Sequence, residues 1–245
     1  MKKILIILIL ILSVFSIANA HPFKSEKELY EYYAEIDKKI FAEKNKPIIR
    51  KKYPRKLTDK ELEQEQIPFS LKRYTVDEIV GNNKLVYNAF NYQLMSISQI
   101  NENNKEEGVI RTFDEDENLI SIAYIENSKG VMGIYREYYP WGVLKNETPY
   151  YTSEINGKLK NYYPDGLLKE EYTYYNNKKE GLATMYYESG QKFAIENYKN
   201  DLKNGDYYMY YENGTLGMKA FFVNGKREGT IEFYEEDGKK IEKNK

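Results

Sequence analysis

The chain contains no cysteine and only one histidine among its 245 residues. Without cysteine there can be no disulfide, so the fold has to be stabilised by packing and backbone hydrogen bonds. Catalysis by Cys-His or Ser-His-Asp groups is excluded because His21 lies far from the repeated part of the sequence. His21 alone does not make a metal site, since copper or zinc needs further ligands. These absences predict a protein that is not an enzyme and has neither cofactor nor metal.

An excess of positive charge is also lacking, since 37 basic and 38 acidic residues give a formal net charge of −1. This balance predicts no nucleic-acid partner. Basic residues are concentrated in one place, residues 44–56, which hold seven Lys or Arg and no acid. Pro47 and Pro54 keep this stretch out of a regular helix. It is typical of a solvated linker, and contact with an anionic surface is the alternative.

One long apolar run is present, at the N-terminus. It extends from Ile4 to Phe15, follows Lys2 and Lys3, and is too short and too soon followed by polar residues for a good membrane span. Small residues at Ala18 and Ala20 fit an A-x-A cleavage site. We therefore expect residues 1–20 to be a signal peptide, with cleavage following Ala20. The mature chain is then exported and is periplasmic or extracellular.

The next segment, residues 21–80, is predicted to be helical and partly basic. A helix is expected over Ser25–Glu43, because Ser25 and Glu28 form a capping box and apolar residues recur at helical spacing. Thr58 is expected to begin a second short helix, and Thr75 a third helical turn. These short pieces are predicted to cap the part of the chain that follows.

Residues 130–245 repeat with a period of 24 residues, five times over. Two rows of glycine keep this period, and both are predicted to be structural turn positions: Gly142, Gly166, Gly190, Gly214 and Gly238 in one row, and Gly133, Gly157, Gly181, Gly205 and Gly229 in the other. A weaker copy extends from Gly108 to Asn118. We therefore interpret residues 81–129 as degenerate repeats and lead-in strands.

Each repeat reads as strand, tight turn, strand and tight turn, because β-forming residues alternate with turn tripeptides such as Glu188-Ser189-Gly190. Alternation along the strands predicts one apolar face and one polar face. The predicted fold is mainly β: an elongated single-layer antiparallel sheet of stacked 24-residue hairpins, with a short helical N-terminal region.

Candidate functional residues are few. The acidic residues 114–117 lack the spacing of a calcium loop and are typical of a solvated turn. Paired carboxylates for glycoside hydrolysis stay open, although a one-layer sheet lacks the deep pocket such chemistry prefers. The 26 tyrosines are either scaffold alone or scaffold plus contact surface. The candidate contact residues are Tyr139, Tyr163, Tyr187 and Tyr211 on the apolar face, with Trp141 at an exposed hairpin tip.

The pattern Y-Y-x-x-G, a Lys/Glu-rich strand and N-G-K-x-x-G resembles the MORN repeat in its bacterial variant. The best matches are residues 162–181, 186–205 and 210–229. The resemblance implies a sheet of hairpins that contacts a protein or a lipid. We expect an exported, non-catalytic protein-interaction or adhesion-type module whose protein partner is unknown. A binder of cell-envelope lipid or polysaccharide is one alternative, and an antitoxin-like protein of the YwqK type, a label carried by bacterial relatives, is another.

Overall fold

The computed structural model describes residues 23–50, 75–89, 91–126 and 129–242. Within these ranges the chain forms one helix and sixteen strands of an open antiparallel sheet, so the predicted fold class is confirmed. None of the helical structure in these ranges is long and apolar enough to cross a membrane. The predicted signal peptide, the helix expected at Thr58 and the end of the basic stretch lie outside the described residues.

The chain divides into two compact units. The central unit is residues 33–153, and the C-terminal unit is residues 154–245 together with residues 1–32. Strands of the central unit pair in chain order: β1 (Thr75–Val80), β2 (Asn83–Asn88), β3 (Leu94–Ile100), β4 (Glu106–Phe113), β5 (Leu119–Glu126), β6 (Gly130–Tyr138) and β7 (Leu144–Tyr151).

The C-terminal unit contains the remaining nine strands of the described residues. They are β8 (Glu154–Ile155), β9 (Gly157–Tyr162), β10 (Leu168–Tyr175), β11 (Lys178–Tyr186), β12 (Lys192–Lys199), β13 (Leu202–Lys203), β14 (Gly205–Tyr210), β15 (Leu216–Val223) and β16 (Lys226–Phe233). From β9 to β16 each long strand pairs with the next one along the chain, and the short β13 pairs with β12.

The helix, α1, covers Glu26–Lys44 and confirms the helix expected from the capping box. The backbone N–H of Glu28 donates to Ser25 Oγ at 3.2 Å, which caps the first turn. Within the central unit, Tyr33, Ile36 and Ile40 of α1 are buried. Ile36 lies directly over Gly133, where an added Cβ would come within 2.6 Å of the Ile36 side chain. The missing side chain at Gly133 therefore lets α1 lie close to β6.

The helical turn expected at Thr75 is wrong. Thr75–Val80 is strand β1, and it pairs along its whole length with β2 through a tight turn at Gly81. The segment is rich in β-branched residues and ends at a glycine, and these features outweigh the capping box suggested by Thr75 and Glu78. Hairpins thus begin ahead of the weak repeat at Gly108. Their buried cluster consists of Leu85, Tyr87, Leu94, Ile97 and Phe113.

The predicted polar face is partly covered in the central unit. Alternation along β6 puts Arg136 and Tyr138 on that face, yet both are buried, as is their neighbour Ile122 on β5. The cause is α1, which packs on this side of the strands. Asp37 of α1 accepts two hydrogen bonds from the Arg136 guanidinium, each of 2.8 Å.

The two glycine rows have different structural roles. Gly190 closes a tight turn with φ +83°, and its N–H donates to the Tyr187 carbonyl at 2.9 Å. Gly142, Gly166, Gly214 and Gly238 make the equivalent bond, so all five glycines of this row close tight turns. The second row was wrongly assigned to turns: Gly133, Gly181 and Gly229 lie inside strands, and Gly157 and Gly205 begin β9 and β14. Gly181 adopts φ +84° between register shifts of β11, as expected of a bulge.

Candidate binding surfaces of the repeats

Direct pairing across the C-terminal unit sorts its side chains onto two faces, because residues opposite each other in an antiparallel pair share a face. We call one of them the ladder face. It carries Leu159, Tyr172, Ala183 and Glu196, which lie opposite one another on successive strands. The opposite face carries Thr184, Ile195, Tyr208 and Lys219.

Three predicted contact tyrosines form a hydrogen-bonded ladder. The Tyr163 hydroxyl donates to the Tyr186 carbonyl at 2.8 Å, and the Tyr187 hydroxyl donates to the Tyr210 carbonyl at 2.8 Å. The Tyr211 hydroxyl donates to the carbonyl of Tyr234 at 2.9 Å. Burial raises the pKa of Tyr163 and of Tyr187 above the usual tyrosine value. Each hydroxyl therefore ties one repeat to the next and has a structural role.

The fourth predicted contact tyrosine, Tyr139, lies in the central unit beside Trp141. The two rings stack with centroids 4.8 Å apart and planes 5° apart. Trp141 is 61 % exposed, in keeping with its predicted place at a hairpin tip. The stack packs the indole locally and leaves its outer surface accessible, so a contact role for this pair stays a prediction.

The ladder face is less open than a bare apolar sheet. Leu159, Met185, Met209 and Ile231 are all half-buried. The rings of Tyr172 and Tyr198 pack edge to face at 6.3 Å, and Lys179 Nζ lies 3.7 Å from the Tyr172 ring centroid. Small residues on this face (Ala183, Ala194 and Ala220) are buried beneath these larger side chains. The face covers much of its own apolar surface.

Polar side chains on the ladder face form hydrogen bonds with one another. Glu196, only 6 % exposed, accepts a hydrogen bond from the Tyr198 hydroxyl and another from Lys203 Nζ at 2.6 Å. Burial, together with the adjacent Glu196 carboxylate, raises the pKa of Tyr198. Tyr172 similarly donates to Glu170, and burial raises its pKa. These side chains are committed to internal bonds.

The opposite face carries apolar residues that the sequence analysis missed. Leu182 is 51 % exposed and Phe221 is 45 % exposed. Asn197 lies opposite Leu182, and Asp206 lies opposite Phe221. Ile195 and Tyr208 lie opposite each other one side-chain pair further along the same two strands and are half-buried. We call Leu182, Ile195, Tyr208 and Phe221 the apolar row. The signal was in the period: three of the other four repeats have a polar residue at the position of Leu182, namely Lys158, Asp206 and Thr230, and the first repeat has Ile134.

The second kind of turn joins repeats at the other end of the hairpins. Asn176 and Asn177 both have positive φ, as a type I′ turn requires. The Asn177 N–H donates to the Ile155 carbonyl at 3.0 Å, and Asn177 Oδ1 accepts from the Ile155 N–H at 2.7 Å. Asp201 makes the same pair of bonds with Lys179. Hairpins of the C-terminal unit are therefore fastened at both ends.

Charged clusters of the central unit are engaged internally. Asp114 Oδ1 accepts the backbone N–H groups of Asp116 and Asn118, which shapes a turn. Glu117 forms an ion pair with Arg50, the last described residue of the basic stretch. Among the residues that the structure describes, no group of three or more potential metal ligands occurs.

Comparisons with known proteins agree with the repeat pattern. A family model described as a MORN repeat variant matches residues 155–177, 179–200 and 203–224. MORN repeats generally bind proteins or membranes, which is consistent with a binding module. The YwqK-type relation has no such support. A search of the curated proteins gives no match.

Solved structures add little. A crystal structure of TarM is 10 % identical, covers 81 % of this chain and has a TM-score of 0.20. An S. aureus TarM mutant in complex with fondaparinux, alpha-GlcNAc-glycerol and UDP is 11 % identical, also covers 81 % of this chain and has a TM-score of 0.17. The chain spans 26 % and 27 % of the length of those two proteins.

Proposed function

We propose that the chain is a non-catalytic protein-interaction module that acts outside the cytoplasm. The observation that carries this proposal is the apolar row of the C-terminal unit. Leu182 on β11 and Phe221 on β15 are three strand spacings apart, which is about 14 Å at 4.8 Å per strand. Exposed apolar side chains grouped on one face of a sheet in this way mark contact sites on proteins.

The charges beside the apolar row favour a protein over an anionic membrane. Phe221 lies between Asp206 and Glu228 on the neighbouring strands, while Lys219 of the same strand faces Glu232. A surface that binds anionic lipid needs an excess of positive charge. Mixed charge around an apolar centre is the arrangement found in protein interfaces.

The ladder tyrosines contribute rigidity to this surface. Because their hydroxyls bond to backbone carbonyls of the next repeat, the strands that carry the apolar row are held in fixed register. A rigid surface loses little conformational entropy when it binds. Direct contact through Tyr163, Tyr187 and Tyr211 is the competing prediction, and mutation separates the two.

The test compares two double variants for binding to washed cell envelopes of the native host in a sedimentation assay. Leu182→Asp with Phe221→Asp places charge in the apolar row and is expected to lower binding at least about tenfold, since hot-spot residues contribute at least about 2 kcal/mol each. Ser189→Asp with Gln191→Asp is the control, because it adds the same charge at exposed positions of a hairpin tip. Equal binding by both double variants contradicts the assignment of the apolar row.

The same envelopes are used to decide whether the binding partner is a protein, a lipid or a polysaccharide. Protease treatment of the envelopes is expected to abolish binding if the partner is a protein. Binding to protein-free vesicles of envelope lipid, or to purified envelope polysaccharide, would support the lipid or polysaccharide alternative instead. N-terminal sequencing of the protein from its native host tests export: the expected first residue is His21, and intact Met1 in the soluble cytosol contradicts the proposal.

A further inference from the structure

The central unit buries two arginines in different electrostatic surroundings. Arg136 is 6 % exposed, and the carboxylates of Asp37 and Glu147 lie 2.8 and 3.0 Å from its guanidinium nitrogens. Arg111 is 7 % exposed, and within the described residues its one hydrogen bond goes from Nη1 to the Lys46 carbonyl at 2.8 Å. No carboxylate of the described residues forms an ion pair with Arg111. An unneutralised buried charge is costly, so this difference needs an explanation.

Arg111 lines a cavity of about 210 Å³. The cavity lies between the chain segment after α1, which supplies Lys46 and Ile49, and the first two strands, which supply Val80 and Asn83. A guanidinium has five N–H donors, and among the described residues one of those of Arg111 is used, in the bond to Lys46. Liquid water occupies about 30 Å³ per molecule, so the volume suits a ligand of a few heavy atoms and not one of drug size.

The charges at the cavity fix the charge of a suitable ligand. Lys46 also lines it, but its ammonium group lies 2.5 Å from the Glu43 carboxylate, so these two charges offset each other. The remaining charge is that of Arg111, one positive charge. Burial lowers the pKa of the Arg111 guanidinium and Glu43 opposes this effect, as expected for a cation that is short of negative partners. A ligand with one negative charge neutralises the positive charge of Arg111, whereas a phosphate with two negative charges exceeds it.

The other walls are apolar and neutral. Val80, Leu85 and Ile97 supply aliphatic surface, and Asn82 and Asn83 supply amides. We propose that this cavity binds a small aliphatic carboxylate, with the carboxylate on the Arg111 guanidinium and the alkyl part against Val80, Leu85 and Ile97. A planar carboxylate matches the fork of guanidinium N–H groups, which makes such pairs strong and directional. This site is separate from the apolar row and does not depend on the proposed function.

The first experiment titrates the purified full mature chain with sodium butyrate, following binding by calorimetry and thermal stability. Butyrate is expected to bind with a Kd on the order of 1 mM, as a ligand of six heavy atoms allows. Butyramide has the same shape without the charge and is expected to bind at least about tenfold more weakly. Inorganic phosphate is also expected to bind at least about tenfold more weakly. Equal effects of butyrate and butyramide, or stronger binding of phosphate, overturn the proposal.

Variants at the cavity give the second test. Arg111→Gln is expected to abolish butyrate binding, and Glu43→Gln is expected to strengthen it at least about threefold, because the opposing carboxylate is removed. Arg227→Gln, which changes an exposed arginine of the C-terminal unit, is the control and is expected to bind as the original chain does. Unchanged butyrate binding in Arg111→Gln overturns the proposal.

The Arg111 side chain also holds the Lys46 carbonyl, so its loss can unfold the central unit. A second pair of variants avoids that difficulty. Ile49 lines the cavity and is 62 % exposed, so both Ile49→Glu and Ile49→Gln are expected to fold. The glutamate repels a carboxylate ligand and should weaken butyrate binding at least about tenfold relative to the glutamine. Equal binding by these two variants overturns the proposal whatever Arg111→Gln does.

Discussion

The tyrosine ladder makes a prediction that separates hydrogen bonds from ring packing. In the double variant Tyr163→Phe with Tyr187→Phe, both rings stay and two hydroxyls are lost. Each hydroxyl bonds a backbone carbonyl at 2.8 Å. A hydrogen bond contributes about 1 kcal/mol net, so the loss should be about 2 kcal/mol. Because the two positions are two strands apart, about 9.6 Å, their effects should be close to additive.

The chain provides a matched control for this prediction. Tyr186 and Tyr210 are the residues whose carbonyls receive the ladder bonds, and their own hydroxyls make no hydrogen bond within the described residues. Tyr186→Phe with Tyr210→Phe removes the same atoms from the neighbouring positions of the same repeats. This control should change the free energy of unfolding by less than about 0.5 kcal/mol.

Urea unfolding followed by circular dichroism gives the comparison. In a separate thermal unfolding experiment, a loss of about 2 kcal/mol should lower the midpoint temperature by about 4–8 °C for a chain of this size. The midpoint temperature of the control should stay nearly unchanged. Both double variants should keep the same urea m-value, since neither changes the surface that unfolding exposes. If the ladder variant and the control differ by less than about 0.5 kcal/mol, the hydroxyl bonds do not stabilise the stacked repeats.

Three further predictions concern the turns, the buried tyrosines and the buried ion pair. Gly190→Val should lower the free energy of unfolding by about 1–3 kcal/mol in chemical denaturation, because φ there is +83° and the open space around the glycine leaves backbone strain as the cause. Lys160→Ala should lower it by less than about 0.5 kcal/mol. Tyr172 and Tyr198 have raised pKa values in the fold, so the folded state keeps protons that the unfolded chain loses. The free energy of unfolding should therefore fall as the pH rises above about 10. This fall with pH should be shallower when both tyrosines are changed to Phe. Arg136→Met should lower the free energy of unfolding in urea by about 3 kcal/mol, because two half-buried carboxylates then lose their cation. A loss under about 1 kcal/mol would mean that water screens them.

Local signals predicted the parts of the fold that depend on neighbouring residues. The capping box at Ser25 located α1, and the 24-residue period located every hairpin from β6 onward. The first row of glycines was assigned correctly because a tight turn needs positive φ in a four-residue segment. Gly181 was placed in a turn because a bulge inside a strand has the same requirement for positive φ, and composition does not distinguish the two.

Long-range contacts were not predictable in this way. Arg136 and Asp37 are 99 residues apart, and nothing in the alternation of β6 indicates that a helix covers Arg136. The tyrosine row was recognised as a scaffold or a contact surface, but the acceptors of its hydroxyls are backbone carbonyls, which carry no sequence signal. Leu182 was visible as an apolar residue at a position that is polar in three of the other four repeats, and the exposure that makes it a candidate contact depends on the fold.

The bonds at the two ends of the hairpins explain why the repeat length is fixed. At one end, a turn residue bonds to the backbone 22 positions earlier, as in the Asn177–Ile155 and Asp201–Lys179 pairs. At the other end, a tyrosine hydroxyl reaches a carbonyl 23 positions later. Inserting or deleting a single residue in one repeat would break bonds at one end and put the pleat out of phase. Gain or loss of a complete 24-residue segment would leave every bond with an equivalent partner, so such a chain can change its length during evolution by duplicating whole hairpins.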